Sequence, residues 1–247
     1  MVRFLPALAA VLLAFTPAGA ADGKKIVLRW HGQSFFELET SQGTRIVFDP
    51  HQMEEYPRVK VKADLVLISH LHNDHTQLEV VEGKPKVING LKESGRKVEW
   101  NLIDEKFRDV RISTVGVYHD NTQGLERGKN AVFILDVDGM RVVFLGDLGH
   151  RLTPLQVKQI GPVDVLLIPV GGVYTLNGSE AKEVVEQLKP KKYIIPMHYG
   201  TKVFEDLLPP DEFLEDQKNV KRFAGNRLEV ESDFQPKEPV IAVLNWK

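Results

Sequence analysis

The chain has no cysteine. That excludes disulfides, thiolate zinc sites, iron–sulfur clusters, a thiol nucleophile and a lipidated N-terminal cysteine. It also lacks an imbalance of charge, with 32 Lys+Arg against 34 Asp+Glu and a formal net charge of −2. A nucleic-acid partner calls for an electropositive footprint and a membrane-surface helix for a basic run; neither is present. After Ala20 there is no Gly/Ser linker, low-complexity tract or composition break, so residues 21–247 read as one domain. At 43% apolar and 27% charged residues, the composition is that of an ordinary globular core. With sulfur ruled out, any metal must be held by histidine and carboxylate.

Long apolar runs are missing too, except at the start. Met1-Val2-Arg3 precedes the apolar segment Phe4–Phe15, then Thr16-Pro17 and Ala18-Gly19-Ala20. A charged start, a short apolar run and a small-x-small site are the layout of a secretory signal, here residues 1–20. The uncharged stretch Phe4–Ala21 carries two prolines and falls short of the ~20 residues a spanning helix needs. The expectation is an exported protein, periplasmic or secreted, without stable membrane insertion once the signal is removed.

What is plentiful is short apolar runs bounded by turn residues: Ile26–Trp30, Ser34–Glu39, Thr44–Phe48, Asp64–Ser69, Val110–Tyr118, Ala131–Val137, Arg141–Leu145, Val163–Val170, Tyr193–Met197 and Val240–Leu244. Their Val, Ile, Leu and Phe content predicts strands, with Asp138-Gly139 as a hairpin turn between two of them. Asn177 with Glu180 predicts a capped helix carrying Ala181, Val184, Val185 and Leu188 and stopped by Pro190. Thr153–Ile160 and Phe204–Leu208 are weaker helix candidates. Ala63–Ile68 faintly echoes Val163–Ile168.

The informative segment is Ser69-His70-Leu71-His72-Asn73-Asp74-His75-Thr76. Three imidazoles and a carboxylate within six residues directly follow a buried-looking strand, and these are ligand types for zinc, manganese or iron. Four further runs end in the same chemistry: Asp49, His119, Asp147 and His198 each follow an apolar segment. Active sites of sheet enzymes gather where strand ends meet.

The loop resembles the H-x-H-x-D-H signature of the metallo-β-lactamase fold superfamily, and His119, Asp147 and His198 follow in that superfamily's order. Within it, the chain is similar to metal-dependent hydrolases of the ascorbate-6-phosphate lactonase-like branch. The similarity is carried by Trp30–Ser34, Phe48-Asp49-Pro50, Leu65–Thr76, Phe144–Asp147 and above all Ile168–Gly200. It implies an α/β (α+β) four-layer αββα sandwich. It further implies one metal on His70, His72 and His119, a second on Asp74, His75 and His198, and Asp147 between them. Asp49 would stand behind the ligands and orient a histidine. Two departures are visible: Gln33 where relatives often carry a second histidine, and Leu148-Gly149-His150 where Thr-Gly is commoner.

The expected function is that of an exported dinuclear metal-dependent hydrolase, with two divalent ions (zinc first, manganese or iron as alternatives). A metal-bound hydroxide would attack a small polar or anionic substrate: a lactone, ester or phosphoester. Asp74 and Asp147 are the candidate catalytic carboxylates, and His31, His150, Tyr174, Thr175 and Tyr199 the candidate substrate contacts. The partner is a small molecule rather than nucleic acid, and a homo-oligomer is compatible with the sequence. Two other readings stay open at this point: a mononuclear iron oxygenase of the same fold, and a non-catalytic metal- or ligand-binding protein.

Overall fold

Unbroken apolar runs mark strands buried on both faces, and the sheets they form close on each other. In the computed structural model, which describes Met1 and residues 23–247, this produces two large sheets. The rest of the expected export signal lies outside the described residues. The first sheet has six strands in the order Arg227–Glu231, Lys25–Trp30, Phe36–Glu39, Arg45–Phe48, Leu65–Ile68, Lys86–Asn89. The second has eight: Asp104–Phe107, Val110–Tyr118, Lys129–Val137, Met140–Phe144, Val165–Pro169, Tyr193–Met197, Val240–Val243, Val220–Arg222. Phe48 of the first sheet meets Phe144 of the second at 4.9 Å between ring centroids, inside one continuous apolar core. No helix among the described residues is long and apolar enough to cross a membrane.

All ten apolar runs form strands, with ends shifted by a residue or two. Val137–Met140 turns with Asp138 at φ 51° and Gly139 at φ 78°, as an Asp-Gly hairpin requires. The helix Gly178–Leu188 starts from a reciprocal cap between Asn177 and Glu180 and buries Ala181, Val184 and Leu188. Pro154–Ile160 starts from the same device between Thr153 and Gln156. Phe204–Leu208 is not a helix. Its backbone bonds elsewhere, Gly200 N–H to Leu208 O and Leu208 N–H to Gly171 O, and Pro209-Pro210 prevents helical continuation.

The strands central to each sheet are parallel to their neighbours: Arg45–Phe48 beside Leu65–Ile68, and Met140–Phe144, Val165–Pro169 and Tyr193–Met197 side by side. Their C-terminal ends therefore reach the same edge, and all but Val165–Pro169 are followed by a residue of the candidate centre.

Candidate metal centre

Asp49 follows Arg45–Phe48, His70 follows Leu65–Ile68, His119 follows Val110–Tyr118, Asp147 follows Met140–Phe144, and His198 follows Tyr193–Met197. His75 sits on the 3₁₀ turn Asn73–His75. All six are buried, while His72 and Asp74 reach the surface. The imidazole nitrogens close on one carboxylate oxygen. Asp147 Oδ2 lies 3.1 Å from His198 Nε2, 3.3 Å from both His75 Nε2 and His119 Nε2, and 4.0 Å from His70 Nε2. On the other side, His70 Nε2 and His72 Nδ1 face each other at 3.1 Å. Three groups thereby gather at cation-sized spacings, His70–His72–His119, His75–Asp147–His198 and, behind them, Asp49–His70–His75. Asp74 stands beside the second, its Oδ2 3.5 Å from His75 Nε2.

A buried imidazole needs its rear nitrogen fixed before its front lone pair can be presented inward. Asp49 does this twice. Its Oδ2 accepts from His75 Nδ1 at 3.0 Å, and its two oxygens also accept from Ser69 N–H (2.7 Å) and the Ser69 hydroxyl. Because the Ser69 proton goes to Asp49, the Ser69 oxygen accepts from His70 Nδ1 at 2.9 Å. The Nε2 lone pair of His70 then faces the centre. His119 and His198 have no such partner at Nδ1; their backbones place them instead. His119 N–H donates to Gly128 O, and His198 N–H donates to Gln33 O while His198 O accepts from Gly171 N–H. Gln33, Asp49 and His198 all occupy the left-handed region, at φ 45°, 41° and 49°. Such conformations persist only where surrounding structure enforces them.

The electrostatics are those of a cation site. Burial opposes ionisation of Asp147, yet His198 and His75 hold its carboxyl well below the usual range. Burial opposes a charged His75 too, but Asp147 and its hydrogen bonds to Asp147, Asp49 and Asp74 hold it well above the usual imidazole value. His70, driven by burial and then by its imidazole neighbours, falls well below. Imidazole nitrogens facing at 3.1 Å beside a dry carboxylate are mutually repulsive when protonated and complementary to divalent metal when not. The donor set, all imidazole and carboxylate, fits such an ion.

The candidate substrate contacts scatter. His31 pairs with Glu37 at 2.6 Å. His150 has both ring nitrogens engaged, accepting from Tyr118 N–H and donating to Arg151 O. Tyr199 is buried against Trp30 and lines a cleft of about 740 Å³ with Thr201 and Trp246; none of the metal-centre residues borders that cleft. Tyr174 and Thr175 belong to the loop after Val165–Pro169, with Tyr174 exposed.

Residues that no motif singles out also hold the centre. The Ser34 hydroxyl donates to Asp147 Oδ1 at 3.0 Å, leaving Oδ2 for the imidazoles. Asn130 accepts from Asp147 N–H and donates to Leu145 O, pinning the turn before the carboxylate. Asn130 has no signal beyond a small polar residue at the head of an apolar run, whereas Ser34 closes the matching stretch Trp30–Ser34 without its bracing role being visible.

The Beta-lactamase superfamily domain matches residues 27–198, a span that contains every residue of the candidate centre. A "UPF0173 metal-dependent hydrolase" of Thermococcus onnurineus is 30% identical, over 83% of this chain and 95% of its own length. A metallo-β-lactamase superfamily protein of Thermotoga maritima, named as a candidate Zn-dependent hydrolase, superposes with a TM-score of 0.71 at 40% identity, over 89% of this chain and 98% of its own. A candidate metal-dependent hydrolase of Parabacteroides distasonis superposes at 0.56 with 25% identity, over 78% of this chain and 90% of its own. The fold, the His/Asp cluster and these likenesses agree: the chain belongs to the metallo-β-lactamase superfamily, among its metal-dependent hydrolases.

Proposed function

We propose that the chain is a dinuclear hydrolase of small polar or anionic substrates, exported by its first twenty residues. The observation that carries the paired site is the convergence of His75, His119 and His198 on Asp147 Oδ2 beside the facing nitrogens of His70 and His72. In this reading His70, His72 and His119 hold one ion, Asp74, His75 and His198 the other, and Asp147 serves both. When bound, two divalent ions supply Lewis acidity and a water that ionises near neutral pH. Zinc suits the all-imidazole and carboxylate donors best, with manganese and iron next.

The protein's own groups do the rest. Ser34 and Asn130 hold Asp147 so that one oxygen faces the histidines. Asp49 fixes the tautomers of His75 and, through Ser69, His70. Asp74, at the surface end of the cluster, is placed to orient the attacking water and accept its proton. Two divalent ions over Asp74 and Asp147 leave the centre positive, which favours lactones, esters and phosphoesters whose reacting group carries or develops negative charge. Tyr174 and Thr175, on the loop after Val165–Pro169, are the substrate contacts in this reading, whereas Tyr199 packs a separate cleft.

Elemental analysis of purified residues 21–247 tests this. About two zinc or manganese ions per chain support the dinuclear reading. One tightly held iron moves the protein to the oxygenase chemistry of the same fold, and no retained metal overturns the site. Export is tested separately, by cell fractionation and N-terminal sequencing: protein outside the cytoplasm beginning at Ala21 is expected, and retention in the cytoplasm overturns it.

A further inference from the structure

Beyond the metal centre, the loop 120–128 is held with unusual care. Asp120 accepts from Thr122 N–H and hydroxyl, Gly124 N–H, Glu126 N–H and Arg127 N–H, at 2.7–3.1 Å. These donors outweigh the effect of burial and hold the Asp120 carboxyl far below the usual carboxylate range. A short loop folded around one carboxylate presents its outermost side chains in a fixed orientation. Its outermost side chains include Leu125 and Glu126, and Arg127 at its end is half-buried against the neighbouring loop.

Arg127 places its guanidinium carbon over the Tyr174 ring, 4.4 Å from the centroid. Its single hydrogen bond runs from Nη2 to Val173 O at 3.4 Å. Among the described residues it has no carboxylate partner, so most of its five N–H donors are unspent. Val173, a β-branched residue, adopts φ 57°, a conformation such residues avoid. That strain keeps its carbonyl toward the guanidinium and Tyr174 beneath it. The pair also spans the centre. Gly128, next to Arg127, accepts from His119 N–H, while Gly171, at the head of the Tyr174 loop, donates to His198 O. Arg127 on Tyr174 therefore ties the loop after His119 to the loop seated on His198.

We propose that Arg127, stacked on Tyr174, is an oxyanion-binding subsite at the rim of the metal centre, selecting substrates that carry a second carboxylate or phosphate away from the scissile bond. A planar guanidinium resting on an aromatic face, with its fork of donors free, is suited to bidentate capture of such a group. The inference rests on the hydrolase reading and narrows its substrate class to molecules with two anionic or anion-developing ends.

The test is binding of malonate, succinate, glutarate and adipate against butyrate, by calorimetry on metal-loaded protein. One carboxylate engages the metal centre in every case, so only the second reports on Arg127. At least one dicarboxylate is expected to bind about tenfold tighter than butyrate. Arg127→Met should erase that preference while leaving butyrate affinity as it was. Arg127→Lys, which keeps charge but loses the planar stack, should retain part of it. The Arg127 backbone N–H to Asp120 survives either change, and an unchanged Tm checks the fold. If Arg127→Met does not fold, Tyr174→Leu removes the platform instead and should weaken the preference several-fold. Indifference of the wild type to the second carboxylate, or a preference that persists in Arg127→Met, overturns the subsite. Metal content of the same samples separates the two readings. A wild type without metal sinks the hydrolase, whereas a metal-loaded wild type blind to the second carboxylate sinks only the role of Arg127.

Discussion

Residues 45–70 and 141–170 are built on one frame. Arg45 N–H donates to Asp64 Oδ2 at 2.9 Å and Asp64 N–H returns to Arg45 O; Arg141 N–H donates to Asp164 Oδ2 at 2.8 Å and Asp164 N–H returns to Arg141 O. Each aspartate then starts a parallel strand, and its carbonyl accepts from the next strand, from Lys86 N–H in one half and Lys192 N–H in the other. The faint echo between Ala63–Ile68 and Val163–Ile168 is thus a repeated hydrogen-bond pattern. Past the strand ends the halves part. The first runs into Ser69-His70 and the His72–His75 turn, with Asp49 fixing imidazoles by side-chain bonds. The second runs into Val170-Gly171-Gly172 and contributes Asp147 and His198, seated by backbone contacts and close approach. The frame sets the level of the strand ends, and the residues just beyond it decide what chemistry each half brings.

Removing the residue that joins the halves should have the largest effect. Asp147→Asn keeps the shape but gives the histidines of both halves an amide in place of a carboxylate. Turnover is expected to fall below detection and bound metal to drop from two ions to one or none, with the circular dichroism spectrum of the folded protein retained. Full activity in this variant would contradict the centre as drawn.

Breaking the second half alone comes next. A methyl on Gly171 would lie 2.3 Å from His198 O and 2.6 Å from Tyr199 Cα, both backbone atoms that cannot swing aside. Gly171→Ala should shift His198 and cost about 1–3 kcal/mol of stability. A displacement of that kind is expected to lower kcat/KM by about a hundredfold. Breaking the first half alone is milder, because Asp49 acts from behind. Asp49→Asn leaves the ligand atoms present and loosens the orientation of His75 and His70. Metal affinity or turnover should fall by about 10–100-fold, measured by chelator competition and steady-state rates. If Asp49→Asn matched Asp147→Asn in severity, the distinction between fixing a ligand and being one would be lost.

The same comparison explains what could be read from the sequence. The ten apolar runs, the helix capped by Asn177 and the Asp-Gly hairpin were legible because burial on both faces leaves unbroken Val/Ile/Leu/Phe runs and because caps have fixed chemistry; the helix Pro154–Ile160 gave a weaker signal, its Thr153–Gln156 cap unread. The strands that escaped are exposed or at edges. Lys86–Asn89 buries only Ile88, and the hairpin Leu91–Ser94 with Lys97–Trp100 buries only Leu91, so neither carries an apolar signal. The gathering of Asp49, His70, His119, Asp147 and His198 on one edge could be anticipated, since each follows an apolar run, and His75 through its place in the His70–His75 cluster. Ser34, Ser69 and Asn130 could not. A hydroxyl or amide that braces a carboxylate 113 or 17 residues away leaves no local pattern. Phe204–Leu208 misled because its apolar residues pack a loop whose backbone is already bonded to Gly171 and Gly200.

The smallest effects should come from the shared frame itself, and they sharpen the comparison most. Asp64→Ala and Asp164→Ala each strip a carboxylate from a strand start and orphan one N–H, of Arg45 or Arg141. Each should cost about 1–3 kcal/mol in urea unfolding while leaving metal content intact. The Asp64 variant adds a pH signature. Partial burial opposes its ionisation, but the Arg45 N–H and the Arg108 guanidinium 3.0 Å away hold its carboxyl below the usual value. A carboxylate depressed in the folded state contributes stability that is fully present above the unfolded pKa, near 3.9, and fades as pH falls through the folded value. The gap between wild type and Asp64→Ala should therefore be constant from pH 7 to 5 and shrink below about pH 4. A gap that instead widened in acid would mean that Asp64 is bound as the neutral acid and that its pairing with Arg45 and Arg108 does not hold the strand start.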